Sequence, residues 1–233
     1  MFVPLHDENS LKNIRYPWVT ILLIAINVCV YFLETARLDE LAIAGFAIIP
    51  KELFDTSLLP ISVETVGPRF PERLTLLSYM FFHGDVLHLA GNMLFLWVFG
   101  DNVEDALGHL KYLVFYLACG VFGGLLHAWI DPTSEVPLIG ASGAVAGVIA
   151  AYLVLHPRVR VWVLALKVIP LRISAAFALG LWILMQVAMV LLPQVGPVAW
   201  WAHIGGLMAG AVLVVFLRRR GVPLFDRGLR SPV

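Results

Sequence analysis

The chain has 233 residues, of which 60% are apolar and only 14% are charged, and its acidic and basic side chains balance to a net charge of zero. Soluble domains average about 45–50% apolar and about 25% charged residues, so this composition excludes an ordinary soluble domain and predicts an integral membrane protein. Both cysteines, Cys29 and Cys119, lie inside apolar runs, which favours small buried side chains and no disulfide.

Six apolar segments along the chain reach or approach the length of about 20 helical residues that a bilayer core of roughly 30 Å requires. The predicted fold is therefore an all-α polytopic membrane protein with six transmembrane helices. The predicted spans are residues 18–33, 76–99, 111–130, 138–155, 174–192 and 198–217. Two shorter apolar stretches, 41–49 and 161–169, are too short to span, and we expect them at the membrane interface or packed on the bundle.

Basic residues predict the orientation of this bundle. With the amino terminus inside, twelve of the sixteen Lys and Arg residues fall in cytoplasmic segments, a positive-inside pattern that predicts two cytoplasmic termini. The four outside are Arg37, Lys51, Arg69 and Arg73.

The predicted domains are a cytoplasmic segment 1–17, a membrane domain 18–217 and a basic cytoplasmic tail 218–233. We expect no cleavable signal peptide, because the first apolar run is too long for one. The arginine run that opens the tail is explained by lipid headgroups, so no nucleic-acid partner is expected.

Several polar side chains fall within the predicted spans, where each is costly and needs an explanation. His88 and Asn92 are four residues apart, which places both on one helix face. They could simply join neighbouring helices by hydrogen bonds. The other polar residues of this kind are His83, His127, Ser142, Gln186 and His203.

Ser142 lies in a stretch rich in glycine and alanine, and the last span carries Gly206 and Gly210 at the spacing that lets two helices approach closely. The Ser142 hydroxyl could merely bond to its own turn. Close approach of the fourth and sixth spans would instead bring Ser142 within hydrogen-bond reach of His203, and an adjacent base is what activates a serine nucleophile. No Asp or Glu lies deep enough in a span to complete an obvious triad, so we infer a Ser–His dyad. His88, Asn92 and the Ser142 N–H could donate to an oxyanion.

Four motifs, in order along the chain, resemble those of the rhomboid family of intramembrane serine proteases. His88-Leu89-Ala90-Gly91-Asn92 resembles H-x-x-x-N, and Gly140-Ala141-Ser142-Gly143 resembles G-x-S-G. Ala202-His203-Ile204-Gly205-Gly206 resembles A-H-x-x-G. Gly100, Glu104 and Gly108 resemble G-x-x-x-E-x-x-x-G after the second span.

The resemblance implies a six-helix rhomboid-like bundle with a long first outer loop, residues 35–75. It implies that Ser142 is the nucleophile, that His203 is the general base, and that His88 and Asn92 flank the oxyanion. The remaining motif residues would be structural. These are His83, Gly100, Glu104, Gly108, Gly206 and Gly210, with Glu104 bracing the turn after the second span.

Two positions depart from the family pattern. The Trp-Arg pair frequent in the first outer loop has no clear counterpart, although Arg73 lies nearby. Some members carry an aromatic residue one turn after the serine that stacks on the base, whereas this chain has Ala146. We therefore expect Trp200 or Trp201 to help position His203.

These observations predict an intramembrane serine endopeptidase without a cofactor or metal. Its partners would be single-pass or polytopic membrane-protein substrates and the lipid bilayer. We expect a bacterial cytoplasmic membrane, with the active site opening toward the outer side. Three alternatives are open: a catalytically inactive relative that binds or escorts membrane proteins, a metal-dependent protease, and a transporter. The absence of H-E-x-x-H argues against the metal enzyme, and the absence of a charged pathway or visible repeat argues against the transporter.

Overall fold

The computed structural model describes residues 2–37, 43–54, 71–165, 168–192 and 198–226. Its helices are α1 (Trp18–Arg37), α2 (Pro50–Phe54), α3 (Glu72–Ser78), α4 (Val86–Leu107), α5 (His109–Ile130), α6 (Ser142–Leu155), α7 (Ala175–Leu191) and α8 (Trp200–Leu217). Its strands are β1 (Phe2–Asp7), β2 (Arg160–Ala165) and β3 (Ile169–Ser174). We call the end of the bundle at which α6 and α8 begin the Ser142 end.

The described chain is mainly helical, and the prediction of a helical membrane bundle is confirmed. Four helices, α1, α4, α5 and α8, are long and apolar enough to cross a bilayer. The other two predicted spans are shorter apolar helices, α6 with 14 residues and α7 with 17. The chain is therefore an integral membrane protein whose bundle includes helices of unequal length.

The predicted second span, 76–99, has the wrong boundaries. Helix α3 and a short 3-10 turn at Tyr79–Phe81 end before His83. A new helix, α4, begins at Val86 because the Asp85 carboxylate accepts hydrogen bonds from the backbone N–H groups of Leu87 and His88. Helix α4 then continues to Leu107, so Asn102, Glu104 and Asp105 are helical and buried rather than part of a loop.

A three-stranded antiparallel sheet in the order β1-β2-β3 lies at the end opposite Ser142, and the sequence analysis did not predict it. The short apolar stretch 161–169 contains most of β2 and the first residue of β3, and in the hairpin of these two strands Trp162 of β2 pairs with Arg172 of β3. Strand β1 adds to this hairpin from the polar amino-terminal segment. Buried Asp7 attaches β1 to the bundle, because it accepts hydrogen bonds from the Tyr152 hydroxyl at 2.5 Å and the Asn102 amide at 3.1 Å.

The carboxyl-terminal segment also returns to the bundle as far as Asp226. The backbone N–H of Asp226 donates to the Leu155 carbonyl, and its carboxylate bonds to His156 at 3.1 Å. The N–H of Arg158 donates to the same carboxylate at 3.0 Å, and these hydrogen bonds outweigh burial and hold the pKa of Asp226 below its ordinary value. The predicted tail thus packs on α6 through Asp226, and residues 227–233 lie outside the described residues.

The first loop is described only in part, since residues 38–42 and 55–70 lie outside the described residues. Its apolar stretch packs on the bundle through buried Ala47 and Ile48, and Ile48 pairs with Leu138.

The expectation that both cysteines are buried holds for Cys119 and is wrong for Cys29, which lies exposed on α1. Both thiols are free.

Helices α5, α6 and α8 make the closest mutual contacts in the bundle, and small residues make them possible. A Cβ atom added at Gly206 would overlap the Gly143 carbonyl oxygen, and one added at Gly210 would overlap that of Gly147. A Cβ at Gly147 would lie 2.5 Å from the Cys119 side chain. The backbones of α6 and α8 therefore touch directly, and this fixes the two helices against each other.

Candidate active site

Ser142 is the first residue of α6, and the residues before it hold a tight turn. Gly140 has φ +124°, in the region that favours glycine, and its N–H donates to the Tyr79 carbonyl at 2.9 Å. A Cβ at this position would lie 2.6 Å from the His88 ring. This turn therefore has no room for a side chain at position 140. Ser142 follows it at the start of α6 and is partly exposed.

His203 lies in the first turn of α8, directly opposite Ser142. Its Nε2 atom is 2.8 Å from the Ser142 Oγ, although the two residues are 61 positions apart in sequence. His203 is buried, and the direct contact between α6 and α8 sets its distance from the serine. The predicted nucleophile and base are thus brought into hydrogen-bond contact.

A third side chain completes this arrangement, and the sequence analysis gave it no role. The Gln186 Oε1 atom on α7 lies 2.8 Å from the His203 Nδ1 atom, and Gln186 is only 2% exposed. The third member of a serine triad is ordinarily a carboxylate, so the lack of an Asp or Glu deep in a span predicted a dyad and left this amide without a role. The signal was present, because Gln186 is the only polar side chain in the sequence of α7.

The predicted oxyanion residues lie on α4 beside the turn that precedes Ser142. The His88 ring packs against Gly140, and the buried Asn92 donates a hydrogen bond from Nδ2 to the His83 Nε2 atom at 3.0 Å. The Ala141 N–H points to the same His83 nitrogen at 3.5 Å. His83 therefore connects Asn92 to the residue before Ser142, an arrangement that suits the structural role expected of it.

Glu34 is a second residue of this region that the sequence analysis missed. The predicted first span ended at residue 33, which placed Glu34 in the loop, whereas α1 continues to Arg37. Glu34 is 1% exposed, and its Oε1 atom accepts a hydrogen bond from the His83 N–H at 3.2 Å. It thereby holds the turn that carries His83 against α1.

Comparison with known proteins shows which family this chain belongs to. A family model described as a Rhomboid domain matches residues 71–220. The chain belongs to the rhomboid family. This confirms the resemblance drawn from the four motifs, and the matched residues include every side chain of the Ser142 region described above except Glu34.

Several curated rhomboid proteins are similar to this chain. RHOMBOID-like protein 5 of Arabidopsis thaliana is 32% identical over 63% of this chain and 45% of its own length. Rhomboid protein 1, mitochondrial, of Saccharomyces cerevisiae is 27% identical over 60% of this chain and 40% of its own. Rhomboid protease AarA of Providencia stuartii is 30% identical over 57% of this chain and 49% of its own. The matched region spans less than half the length of each of these relatives.

The motif after the second span lies in this rhomboid at the end opposite Ser142. Buried Glu104 accepts hydrogen bonds from the N–H groups of Val19 and Thr20 at 3.0 and 2.8 Å, and it also bonds to His109. Gly108, at φ +88°, ends α4 and leads into α5. A Cβ at Gly100 would lie 2.7 Å from the Tyr112 hydroxyl. These contacts join α1, α4 and α5.

Two tryptophans flank the His203 ring of this rhomboid. Trp200 meets it edge-on with ring centroids 5.8 Å apart, and it is one of the two residues expected to position the base. Trp182, from α7, lies at 6.2 Å and also packs against Phe95. Across the described ranges, no group of three or more His, Cys, Asp or Glu residues could hold a metal ion.

Proposed function

We propose that this chain is an intramembrane serine endopeptidase that hydrolyses peptide bonds in or beside the membrane helices of membrane-protein substrates. The observation that carries the proposal is the 2.8 Å hydrogen bond between Ser142 Oγ and His203 Nε2, made between two helices whose backbones touch. Membership of a family that includes a relative named as a protease supports it.

In the proposed reaction, the Ser142 Oγ attacks the carbonyl carbon of the scissile peptide bond while His203 Nε2 takes the hydroxyl proton. The tetrahedral intermediate collapses as His203 returns this proton to the leaving amine, which breaks the C–N bond and leaves an acyl ester on Ser142. A water molecule, deprotonated by His203, then attacks the ester. The proton passes back to the Ser142 oxygen, which releases the acid product and restores the enzyme.

The oxyanion formed in each step needs hydrogen-bond donors. An amide side chain has two N–H donors, so Asn92 can bond to His83 with one and retain the other for substrate. The Ser142 N–H, at the start of α6, has no partner within its own helix and can supply a second donor. His88, packed against Gly140, is the third candidate.

Hydrolysis also needs water at the Ser142 end. Helix α6 has 14 residues and is about 21 Å long, which is shorter than a bilayer core of roughly 30 Å. Ser142 can therefore lie below the membrane surface, and its partly exposed side chain gives water a route to it. In the preceding turn, Gly140 and Ala141 are buried, and Gly140 lies against the His88 ring of α4, so this backbone need not face lipid.

A substrate helix shields its peptide bonds with its own hydrogen bonds. We therefore expect cleavage where Gly, Pro or polar residues let the substrate unwind, and the family resemblance adds small residues before the cut.

We further propose a bacterial cytoplasmic membrane with both termini inside. The similar proteins include AarA of Providencia stuartii and also proteins with mitochondrial names, so the names alone do not fix the membrane. Single cysteines introduced at each terminus and labelled from either side of the native membrane would measure which side each terminus faces.

The test of the proposed function is cleavage of a labelled transmembrane substrate by protein reconstituted in liposomes. The Ser142→Ala variant should lose cleavage completely while keeping the thermal unfolding temperature of the parent, and the matched control Ser10→Ala, at an exposed position, should cleave normally. A fluorophosphonate probe should label the parent at Ser142. Cleavage by Ser142→Ala would exclude the mechanism, and folded protein that neither cleaves nor labels would favour the inactive binding or escort factor.

A further inference from the structure

The base of this rhomboid lacks one support that some family members have. The residue one turn after Ser142 is Ala146, which is completely buried and too small to stack on the His203 ring. The ring is instead contacted by Trp200 from its own helix and by two side chains of α7. Helix α7 therefore supplies two of these three contacts to the base, whereas α6 supplies no stacking side chain.

The two α7 side chains are Trp182 and Gln186, which are four residues apart and so share one face of the helix. Gln186 is buried in an otherwise apolar helix, where an amide without a hydrogen-bond partner would destabilise the fold. The described partner of its carbonyl is His203, at 2.8 Å. The Gln186 amide is thus satisfied by a hydrogen bond to the histidine.

This hydrogen bond selects one form of the imidazole. A neutral histidine carries its proton on one ring nitrogen and a lone pair on the other, and an amide oxygen can only accept. The Gln186 Oε1 atom therefore holds the proton on Nδ1, which leaves the Nε2 lone pair facing the Ser142 hydroxyl. The opposite tautomer would place a proton between Nε2 and Ser142, and His203 could not act as the base.

Helix α7 is attached to the bundle unevenly along its length. Its buried residues are Ala175, Ala178 and Leu179 near the sheet, and then only Gln186 toward the Ser142 end. Leu184 and Leu191 on this second half are more than half exposed. The Gln186–His203 hydrogen bond and the packing of partly buried Ile183 therefore attach this part of α7, whereas the Ser142–His203 distance depends on the α6–α8 contact.

We propose that Gln186 is a positioning residue of the Ser142–His203 pair. It orients the base from α7 in place of the missing aromatic residue, so the base is ready for catalysis only while α7 is docked. The inference rests on the proposed function for its kinetic consequences, but the tautomer of His203 can be measured without it.

The kinetic test compares Gln186→Met, which keeps the length of the side chain and removes the acceptor, with Gln186→Glu, which keeps an acceptor. We expect Gln186→Met to lower kcat about 10- to 100-fold with little change in KM, and to slow fluorophosphonate labelling of Ser142 by the same factor. Gln186→Glu should recover most of the lost rate. The neighbouring Met185→Leu is the matched control and should behave as the parent.

The structural test is ¹⁵N NMR of selectively labelled histidine in detergent micelles, with His203→Gln used to assign the signal. The parent should show the Nδ1–H tautomer, and Gln186→Met should show a mixture. An Nε2–H tautomer in the parent would overturn the proposal, because Gln186 would then be donating. Folded Gln186→Met with the parent's kcat and labelling rate would overturn it as well. If Gln186→Met does not fold, the Gln186→Glu rate and the parent's tautomer decide.

These outcomes separate this inference from the proposed function. If Ser142→Ala retains cleavage, the serine mechanism fails, whereas the His203 tautomer still reports whether Gln186 orients the ring. If Ser142→Ala is inactive and Gln186→Met is as fast as the parent, the proteolytic function stands and only the role of Gln186 is lost.

Discussion

Helices α6 and α7 both contribute a side chain that contacts His203, yet they are packed in different ways. Eleven of the 14 residues of α6 are buried, and its glycines meet those of α8 backbone to backbone. Only four of the 17 residues of α7 are buried, and only one of these lies toward the Ser142 end. The distance between serine and histidine is thus set by backbone contact, whereas the only described hydrogen bond to the second ring nitrogen of the histidine comes from a side chain of the less buried helix α7.

The largest expected effect comes from breaking the α6–α8 contact. Gly206→Ala would place a Cβ against the Gly143 carbonyl oxygen, so the helices must separate. A displacement of about 1 Å between reacting groups costs roughly 100-fold in rate, so we expect at least this loss of cleavage together with a lower unfolding temperature. Gly180→Ala is the matched control on α7, because no atom outside its own helix backbone lies within 4 Å of the added Cβ, and it should have no effect. Equal cleavage rates for Gly206→Ala and Gly180→Ala would contradict the idea that the α6–α8 contact sets the serine–histidine distance.

The next largest effect concerns stability at the end opposite Ser142. Glu104→Ala would leave the half-buried N–H of Val19 and the buried N–H of Thr20 without their acceptor, which should lower the free energy of unfolding by about 3 kcal/mol. Glu104→Gln, which keeps one acceptor oxygen, should lose less. Denaturation in mixed micelles measures both, and we expect the cleavage rate of the folded fraction to stay close to that of the parent. A large loss of rate in the folded fraction would show that the two ends of the bundle are coupled.

A smaller effect should appear as pH dependence at the sheet from which α7 starts. Burial raises the pKa of Asp7 above its ordinary value of 3.8, although the Tyr152 hydrogen bond opposes this. The folded state therefore favours protonated Asp7, so this stabilisation is complete below pH 3.8 and is lost as the pH rises through the raised value. Asp7→Asn should remove the dependence. Limited proteolysis of the β1 segment at pH 4 and pH 7 tests this, and faster cutting of the parent at pH 4 than at pH 7, relative to Asp7→Asn, would contradict the sign.

The smallest expected effects come from the caps of two helices that serve the site. Asp85 caps α4 through two hydrogen bonds, and Ser174 caps α7 through one at 3.3 Å to the Phe177 N–H. We expect Asp85→Ala to cost about 1 kcal/mol and Ser174→Ala about 0.5 kcal/mol of unfolding free energy. Hydrogen exchange resolved by helix would show the loss in α4 for the first variant and in α7 for the second. Loss of protection in α6 from Ser174→Ala would argue against a separately attached α7.

The sequence by itself determined the membrane class, because so apolar a chain cannot fold as an ordinary soluble domain. The glycines and alanines beside Ser142 and His203 indicated that their helices can approach closely, and the resemblance to the rhomboid family singled out these two residues. The placement of His88 and Asn92 on one helix face followed from helical spacing in the same way. These features are local in sequence or depend on residue size alone.

Only the tertiary structure decided that Gln186 and Glu34 face the site and that residues 2–7 add a strand to 160–165. In a membrane helix both the lipid-facing side and the buried side are apolar, so the pattern of α7 does not reveal which way Gln186 points. The pairing of β1 with β2 joins residues more than 150 positions apart and depends on how the bundle brings them together. The partners of buried polar groups are thus set by helix rotation and long-range packing, which the order of residues does not specify on its own.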